Sequence, residues 1–291
     1  MLTLLATAAL LSAFQHPSDT LQSRLEARIR QTAGAMVGLS YVDLATGRAV
    51  HINADSSFHA ASTMKVPVMI ELFRQVDRRE LALDQGMLLK NEFRSIVDGS
   101  PYSLSAGDDS DSLVYTKVGQ QVPVRELLER MIVRSSNLAT NALIEIVDAR
   151  KADATAKALG ARNIRVLRGV EDGKAYAQGL NNSTTSRDMA ALMAAIEQGR
   201  AASPASTALM RDILMRQEFN EEIPAGLPKG TKVAHKTGFI TAHRHDAAIV
   251  YPPNGTPYVL VVLTRGVRDE KLQRELIADL SRIVWDWRAG A

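Results

Sequence analysis

No cysteine occurs anywhere in the 291 residues. Disulfides, thiolate nucleophiles, iron–sulfur clusters and lipid attachment through cysteine are therefore excluded. Basic side chains form no run: 35 Lys and Arg are scattered among 32 Asp and Glu, for a formal net charge of +3. That mild excess lacks the concentrated stripe a nucleic-acid surface requires, so no nucleic-acid partner is expected. No apolar run approaches the roughly 20 residues of a membrane-spanning helix, and no stable membrane span is expected. His-Glu-x-x-His, Gly-x-Ser-x-Gly and the Walker loop are all missing. Their absence removes the helical zinc-protease, α/β-hydrolase and P-loop readings. No repeat period is apparent.

The longest apolar stretch lies at the start, residues 2–13, and ends in small residues before Gln15-His16-Pro17-Ser18-Asp19. This pattern suits a secretory signal peptide over residues 1–15, cleaved near residues 13–15, and an exported product, periplasmic or secreted. No Lys or Arg precedes the apolar stretch. A misassigned start or a retained anchor are the alternative readings.

Apolar content of 46% and charged content of 23% are ordinary for a soluble globular protein. The length allows a large core that needs no covalent staples, in one large domain or two. Residues 18–32 read as an amphipathic helix with Leu21, Leu25 and Ile29 on one stripe. Residues 35–43 and 48–53 read as strands around an Ala45-Thr46-Gly47 turn. Helical patterns dominate 64–215. Strands return at 232–239, 247–251 and 258–264, with 252–257 as a turn, before a final helix over 269–287. Strands at both chain ends with helices between imply an α/β (α+β) fold: one antiparallel sheet from both ends flanked by helices, plus an all-helical lobe, with a ligand cleft between.

Within that frame three short stretches carry chemistry. Ser62-Thr63-Met64-Lys65 precedes Met69, Leu72, Phe73 and Val76, which recur at the interval of a helix face packed into a core. A serine and a lysine three apart project from one side of one turn, so the amine can reach the hydroxyl. If burial or a neighbouring cation drives the lysine neutral, it can take the hydroxyl proton. Ser-x-x-Lys alone is a common accident, and a capping serine is its plain alternative. Ser135-Ser136-Asn137 lies between two helical patterns, one with Val124, Leu127, Leu128, Met131 and Ile132, the next with Leu138, Ala142 and Ile146. Asn137 reads as the cap of the second. Lys236-Thr237-Gly238 closes the alternating stretch 231–239.

In this order the three stretches resemble the motif set of penicillin-interacting serine enzymes, and of the class A β-lactamases in particular. The resemblance runs from about residue 21 to the C-terminus. It implies a β-lactamase/transpeptidase-like fold in one domain over residues 16–291, with a sheet lobe (about 18–61 and 226–291) and a helical lobe (about 62–225). It also implies a serine hydrolase that opens the β-lactam amide through an acyl-enzyme on Ser62, without metal or other cofactor, acting on a small-molecule β-lactam or peptidoglycan-like substrate as a monomer. By the same resemblance Lys65 is the acylation base, Ser135 relays a proton to the leaving nitrogen, and Asn137 orients the substrate amide and Lys65. Lys236 and Thr237 hold the substrate carboxylate, with Gly238 beside them. The backbone N–H groups of Ser62 and Phe239 face the developing oxyanion.

The match departs from the family in three places. Ser136 stands where an aspartate is common. The Ser62–Ser135 interval is long, consistent with an insertion in residues 98–112. The deacylating glutamate is matched by Glu171, followed by Asn181 and Asn182, with Asn182 as a substrate contact, yet the interval exceeds the family's compact Glu-x-x-x-Asn. Residues 98–112, rich in Asp and Gly, read as a solvated surface loop, the alternative being a flap with Tyr102 or Tyr115 stacking on the ligand. His235, His243, His245 and Asp246 have metal-ligand chemistry but flank the third motif, and are read as lining the cleft. Arg244, Arg265 or Arg268 can each help bind a carboxylate. Two other functions fit the same motifs: a D-alanyl-D-alanine peptidase or penicillin-binding protein with slow deacylation, and a non-catalytic module that binds peptidoglycan or a partner.

Overall fold

The last strand pattern of the chain does not alternate: Tyr258 to Arg265 is nearly all Val and Leu, as in a strand buried on both faces. In the computed structural model, which describes residues 20–290, that strand lies at the centre of a five-stranded antiparallel sheet. The proposed signal segment, residues 1–15, lies outside the described residues. Strands β1 (Met36–Asp43) and β2 (Ala49–Ile52) come from one end of the chain. Strands β5 (Lys232–Ile240), β6 (His243–Tyr251) and β7 (Tyr258–Arg265) come from the other. Their order is β2-β1-β7-β6-β5, with Met36 opposite Arg265 and Gly238 opposite His245. The first hairpin turns where expected. Asp43 accepts from the N–H groups of Ala45 and Thr46, and Gly47 takes φ +73.

Helices cover both faces. Helix α1 (Leu21–Arg30) starts at a Thr20–Ser23 capping box and buries Leu21 and Leu25 with the C-terminal helix α9 (Glu270–Ala289). On that face Leu39, Leu260 and Val262 point at Leu276 and Leu280. On the other face Val259, Val261 and Leu263 join the core of the central helices.

The innermost of these is α2 (Lys65–Asp77). Its apolar stripe of Met69, Leu72 and Phe73 is joined by Val66, Val68 and Ile70, all fully buried. From Lys65 to Phe73 the helix is buried on every side, and each apolar side chain so enclosed adds about 1.5–3 kcal/mol of burial. Helices α3 (Val124–Val133) and α4 (Asn137–Val147) pack beside it, followed by α5 (Ala149–Ala158). Ser136, not Asn137, caps α4, its hydroxyl accepting from Ala139 N. The Asn137 side chain is drawn elsewhere, into the site described below.

Strand β6 begins four residues earlier than its apolar pattern suggests. Residues 243–246 are polar, yet each finds a hydrogen-bond partner in the sheet or in the segments packed on it, so polarity did not end the strand. Short strands β3 (Phe58–His59) and β4 (Ser183–Thr184) pair at the cleft. Helix α6 (Gly173–Ala177) precedes β4, and α7 (Ser186–Glu197) and α8 (Pro204–Met215) follow it.

Candidate active site

A cleft of about 850 Å³ opens between β5 and the start of α2, lined by Ser62, Ser135, Asn137, Glu171 and Phe239 among others. Ser62 sits in a single 3₁₀ turn, Ala61–Met64, that runs straight into α2. Strand β5 presses against this turn. A Cβ built on Gly238 would lie 2.9 Å from Ser62 N and 3.0 Å from Thr63 N. Only glycine permits that approach, and it brings the β5 edge at Phe239 alongside the serine's own backbone. Ala61, just before the serine, has φ +45, and its N–H donates to His59 Nδ1 at 3.0 Å. That ring nitrogen therefore carries no proton. Burial, with His243 and Arg168 nearby, pushes the His59 imidazole down to about 4.

Lys65 and Lys236 are both fully buried. Lys65 Nζ donates to Ser135 O at 2.6 Å, to Ser135 Oγ at 3.2 Å and to Asn137 Oδ1 at 3.0 Å. Lys236 Nζ reaches the same Ser135 Oγ at 2.9 Å and Thr237 O at 2.9 Å. One hydroxyl thus lies between two amines. Burial first, and the Lys236 charge second, hold the Lys65 amine well below the ordinary lysine range, with Asp109 and Glu171 opposing. Burial brings Lys236 down to about 7 against the pull of Asp246 and Glu222.

Asn137 joins the two halves of the site. Its Oδ1 accepts from Lys65, while its Nδ2 donates to Glu171 Oε1 at 2.5 Å. Burial, then the charges of Asp109 and Asp108, raise the Glu171 carboxyl, with Asn137 and Lys65 acting against them. Four of the seven non-glycine residues with positive φ among the described residues line this cleft: Ala61, Ser135, Glu171 and Ala242. Such backbone costs about 1 kcal/mol or more apiece and persists only where the surroundings impose it.

The long interval after Glu171 is absorbed locally. Asp172 caps α6, accepting from Ala175 N, and the extra residues coil outward. Asn182 lines the cleft and also closes the loop. Its Oδ1 accepts from Leu167 N at 2.7 Å and Arg168 N at 3.2 Å, and its Nδ2 donates to Arg168 O. Both ends of that amide are committed to backbone, so Asn182 shapes the loop. Asn141, which sequence reading missed, does the same for Glu171's neighbour, clasping Val170 N at 2.6 Å and Val170 O at 3.0 Å. It lies one helical turn after Asn137, a spacing that could have pointed to it.

Residues 98–112 are no free surface loop. Asp109 and Asp111 are buried, Asp108 and Ser110 line the cleft, and Asp98 pairs with Lys174 at 2.7 Å. Tyr102 packs on Phe93 and donates to Val170 O, and Tyr115 donates to Asp109. Both hydroxyls serve the wall. The histidines go to separate partners: His235 Nδ1 to Asp246 at 3.0 Å, His245 Nε2 to His59 O at 2.8 Å, and His243 Nδ1 to Thr241 O. Arg244 is held by Glu222 at 2.7 Å, Gln273 and Glu270, beneath the Phe239 ring. Arg265 stacks on Phe58, outside the residues lining the cleft, whereas Arg268 is exposed at its rim.

An antiparallel sheet fed from both chain ends, with a Ser-x-x-Lys turn packed against its edge strand and two buried lysines converging on a second serine, agrees with the fold and motif order the sequence resembles. The model of the β-lactamase enzyme family matches residues 20–288, and the chain belongs to that family. It is 28% identical to β-lactamase AST-1 of Nocardia asteroides, over 89% of this chain and 81% of that protein. The structure of PBP-A superposes with a TM-score of 0.80 at 30% identity, covering 93% of this chain and 96% of that one. A mutant of the class A β-lactamase reconstructed for the last common ancestor of Gram-negative bacteria superposes with a TM-score of 0.81 at 26% identity, over 93% and 99%.

Proposed function

We propose that this protein is a class A-type serine β-lactamase that works through an acyl-enzyme on Ser62. Lys65, whose burial favours loss of its proton, takes the Ser62 proton in its deprotonated form as Oγ attacks the lactam carbonyl. The N–H groups of Ser62 and Phe239 receive the developing negative charge. Lys236, Thr237 and Gly238 border the place of the substrate carboxylate, with Arg268 at the rim. As the C–N bond breaks, Ser135 Oγ passes a proton to the leaving nitrogen, resupplied from the amines on either side. Glu171 then takes a proton from the water that attacks the ester, and Ser62 Oγ leaves with a proton returned through Lys65.

The observation that carries this reading is Asn137. One side chain ties the acylation base to a carboxylate whose pKa is raised towards the range of a useful base. A slow-deacylating peptidase would have no use for that second link. The peptidase reading draws on the likeness to PBP-A, a point mutant of which is known as an acyl-enzyme complex with penicillin G.

Mixing the protein with a chromogenic cephalosporin while recording turnover and intact mass separates the readings. Steady turnover is expected. A stable adduct on Ser62 without turnover would favour the peptidase, and neither would leave a binding module. Glu171→Gln should keep acylation, slow deacylation by about 10²–10⁴-fold and accumulate the acyl mass; undiminished hydrolysis would remove Glu171 from its role. The apolar, small-residue start supports export, which fractionation of expressing cells would test.

A further inference from the structure

Helix α4 begins at Asn137, and its first backbone N–H groups have no acceptor within the helix. Ser136, at the cap, reaches only Ala139 N, at 3.2 Å. The N–H groups of Asn137 and Leu138 instead donate to one oxygen, Asp109 Oδ2, both at 2.9 Å. Tyr115 OH donates to the same oxygen at 3.1 Å and Ser136 Oγ approaches it at 3.4 Å. Asp109 Oδ1 accepts from Asp111 N at 3.0 Å, and Asp111 is clamped by Arg130 of α3 at 2.7 Å. A carboxylate at a helix start ordinarily comes from the cap residue, which accepts from the second or third N–H. Here the cap is a serine, and the carboxylate arrives from 28 residues upstream.

We propose that Asp109 is a positioning residue for the catalytic site, supplying from a distant loop the helix-start carboxylate that an aspartate at position 136 would supply locally. It thereby fixes the Ser135–Asn137 backbone from which both proton-handling side chains project. Ser135 stands at φ +57 one residue before the cap, so its hydroxyl stays between the two lysines only while the next peptide is held. The two positions are then alternatives. An acid at either serves, and acids at both would set two carboxylates about where Ser136 Oγ and Asp109 Oδ2 now lie, where they repel.

The test is a four-protein cycle: the unaltered chain, Asp109→Ala, Ser136→Asp and the double variant. The kinetic arm rests on the proposed β-lactamase function, and the melting arm does not. Asp109→Ala should lower the melting midpoint by about 5 °C. It should slow acylation by a chromogenic cephalosporin about 10- to 100-fold through misplacement of Ser135 and Asn137. Ser136→Asp alone should also harm both, while adding it to Asp109→Ala should restore both. A double variant no better than Asp109→Ala in either readout overturns the proposal, as does a Ser136→Asp single variant indistinguishable from the unaltered chain. Were the unaltered chain to open no β-lactam, the functional reading would fall and the melting cycle alone would decide. Asp109→Asn adds a readout that loosened structure would not give. Glu171 faces Asp108, Asp109, Lys65 and Asn137, so removing one negative charge should move the acid limb of turnover to lower pH.

Discussion

The two walls of the cleft are built differently. The wall proposed for acylation stands on regular structure: Ser62 and Lys65 at the head of a helix buried from Lys65 to Phe73, Lys236 to Phe239 on a strand paired along its length. The wall proposed for deacylation is mostly loop, residues 165–182 around the short helix α6, and single side chains hold it: Asn137 bonds Glu171 itself, Asn141 clasps Val170, and Asn182 bonds the backbone of Leu167 and Arg168. Regular elements place reactive groups through many weak contacts, whereas a loop places them through a few strong ones. Loss of one contact should therefore matter selectively on the loop side.

The sharpest test of that contrast is Lys65→Ala, which should depress single-turnover acylation by about 10²–10⁴-fold and leave no burst. Asn141→Ala is the counterpart. Freeing Val170 should slow deacylation by about 10- to 100-fold while the acylation burst stays within about twofold. Equal losses in both steps would erase the distinction between the walls. Third in size is the pH response of Lys236. Its pKa near 7 lies far below that of an unfolded lysine, so the amine is charged below that pH and neutral above it. KM for a carboxylate-bearing β-lactam should rise about tenfold as pH climbs through that value, and Lys236→Arg should flatten the rise. The smallest expected effect is that of His59→Ala. It removes the acceptor of Ala61 N and should slow acylation about 3- to 10-fold without touching deacylation.

What the sequence disclosed follows the same division. Ser62, Lys65, Ser135 and Lys236 were legible because each sits in a short motif whose flanking periodicity announces its helix or strand. Gly238 was legible as part of a motif, though its reason, the approach to Ser62 N, needed coordinates. The roles of Asp109 and Asn141 were not legible, although the one-turn spacing of Asn141 from Asn137 placed it on the same helix face. Each acts across a gap of 28 or 29 residues on a backbone N–H, and no local pattern records such a pairing. Asn182 was legible as a cleft residue, but its hold on the backbone of Leu167 and Arg168 was not, because that pairing spans 14 to 15 residues. Asn137 was expected to cap its helix, and yielded that place to Ser136 once two site residues claimed its side chain. The polar run 243–246 hid the first half of a strand, because its partners lie in residues 59, 222 and 273.

The enclosure of α2 has one more consequence. Beyond its apolar shell, Glu71 is gripped by Arg78, Gln75 and Thr155, and Gln75 by the carbonyl of Val147. The buried stretch Lys65–Phe73 cannot fray by itself, so its amides should trade hydrogen with solvent only on global opening. On heating, Ser62 and Lys65 would keep their places until the last cooperative step, and inactivation would follow the same curve as melting.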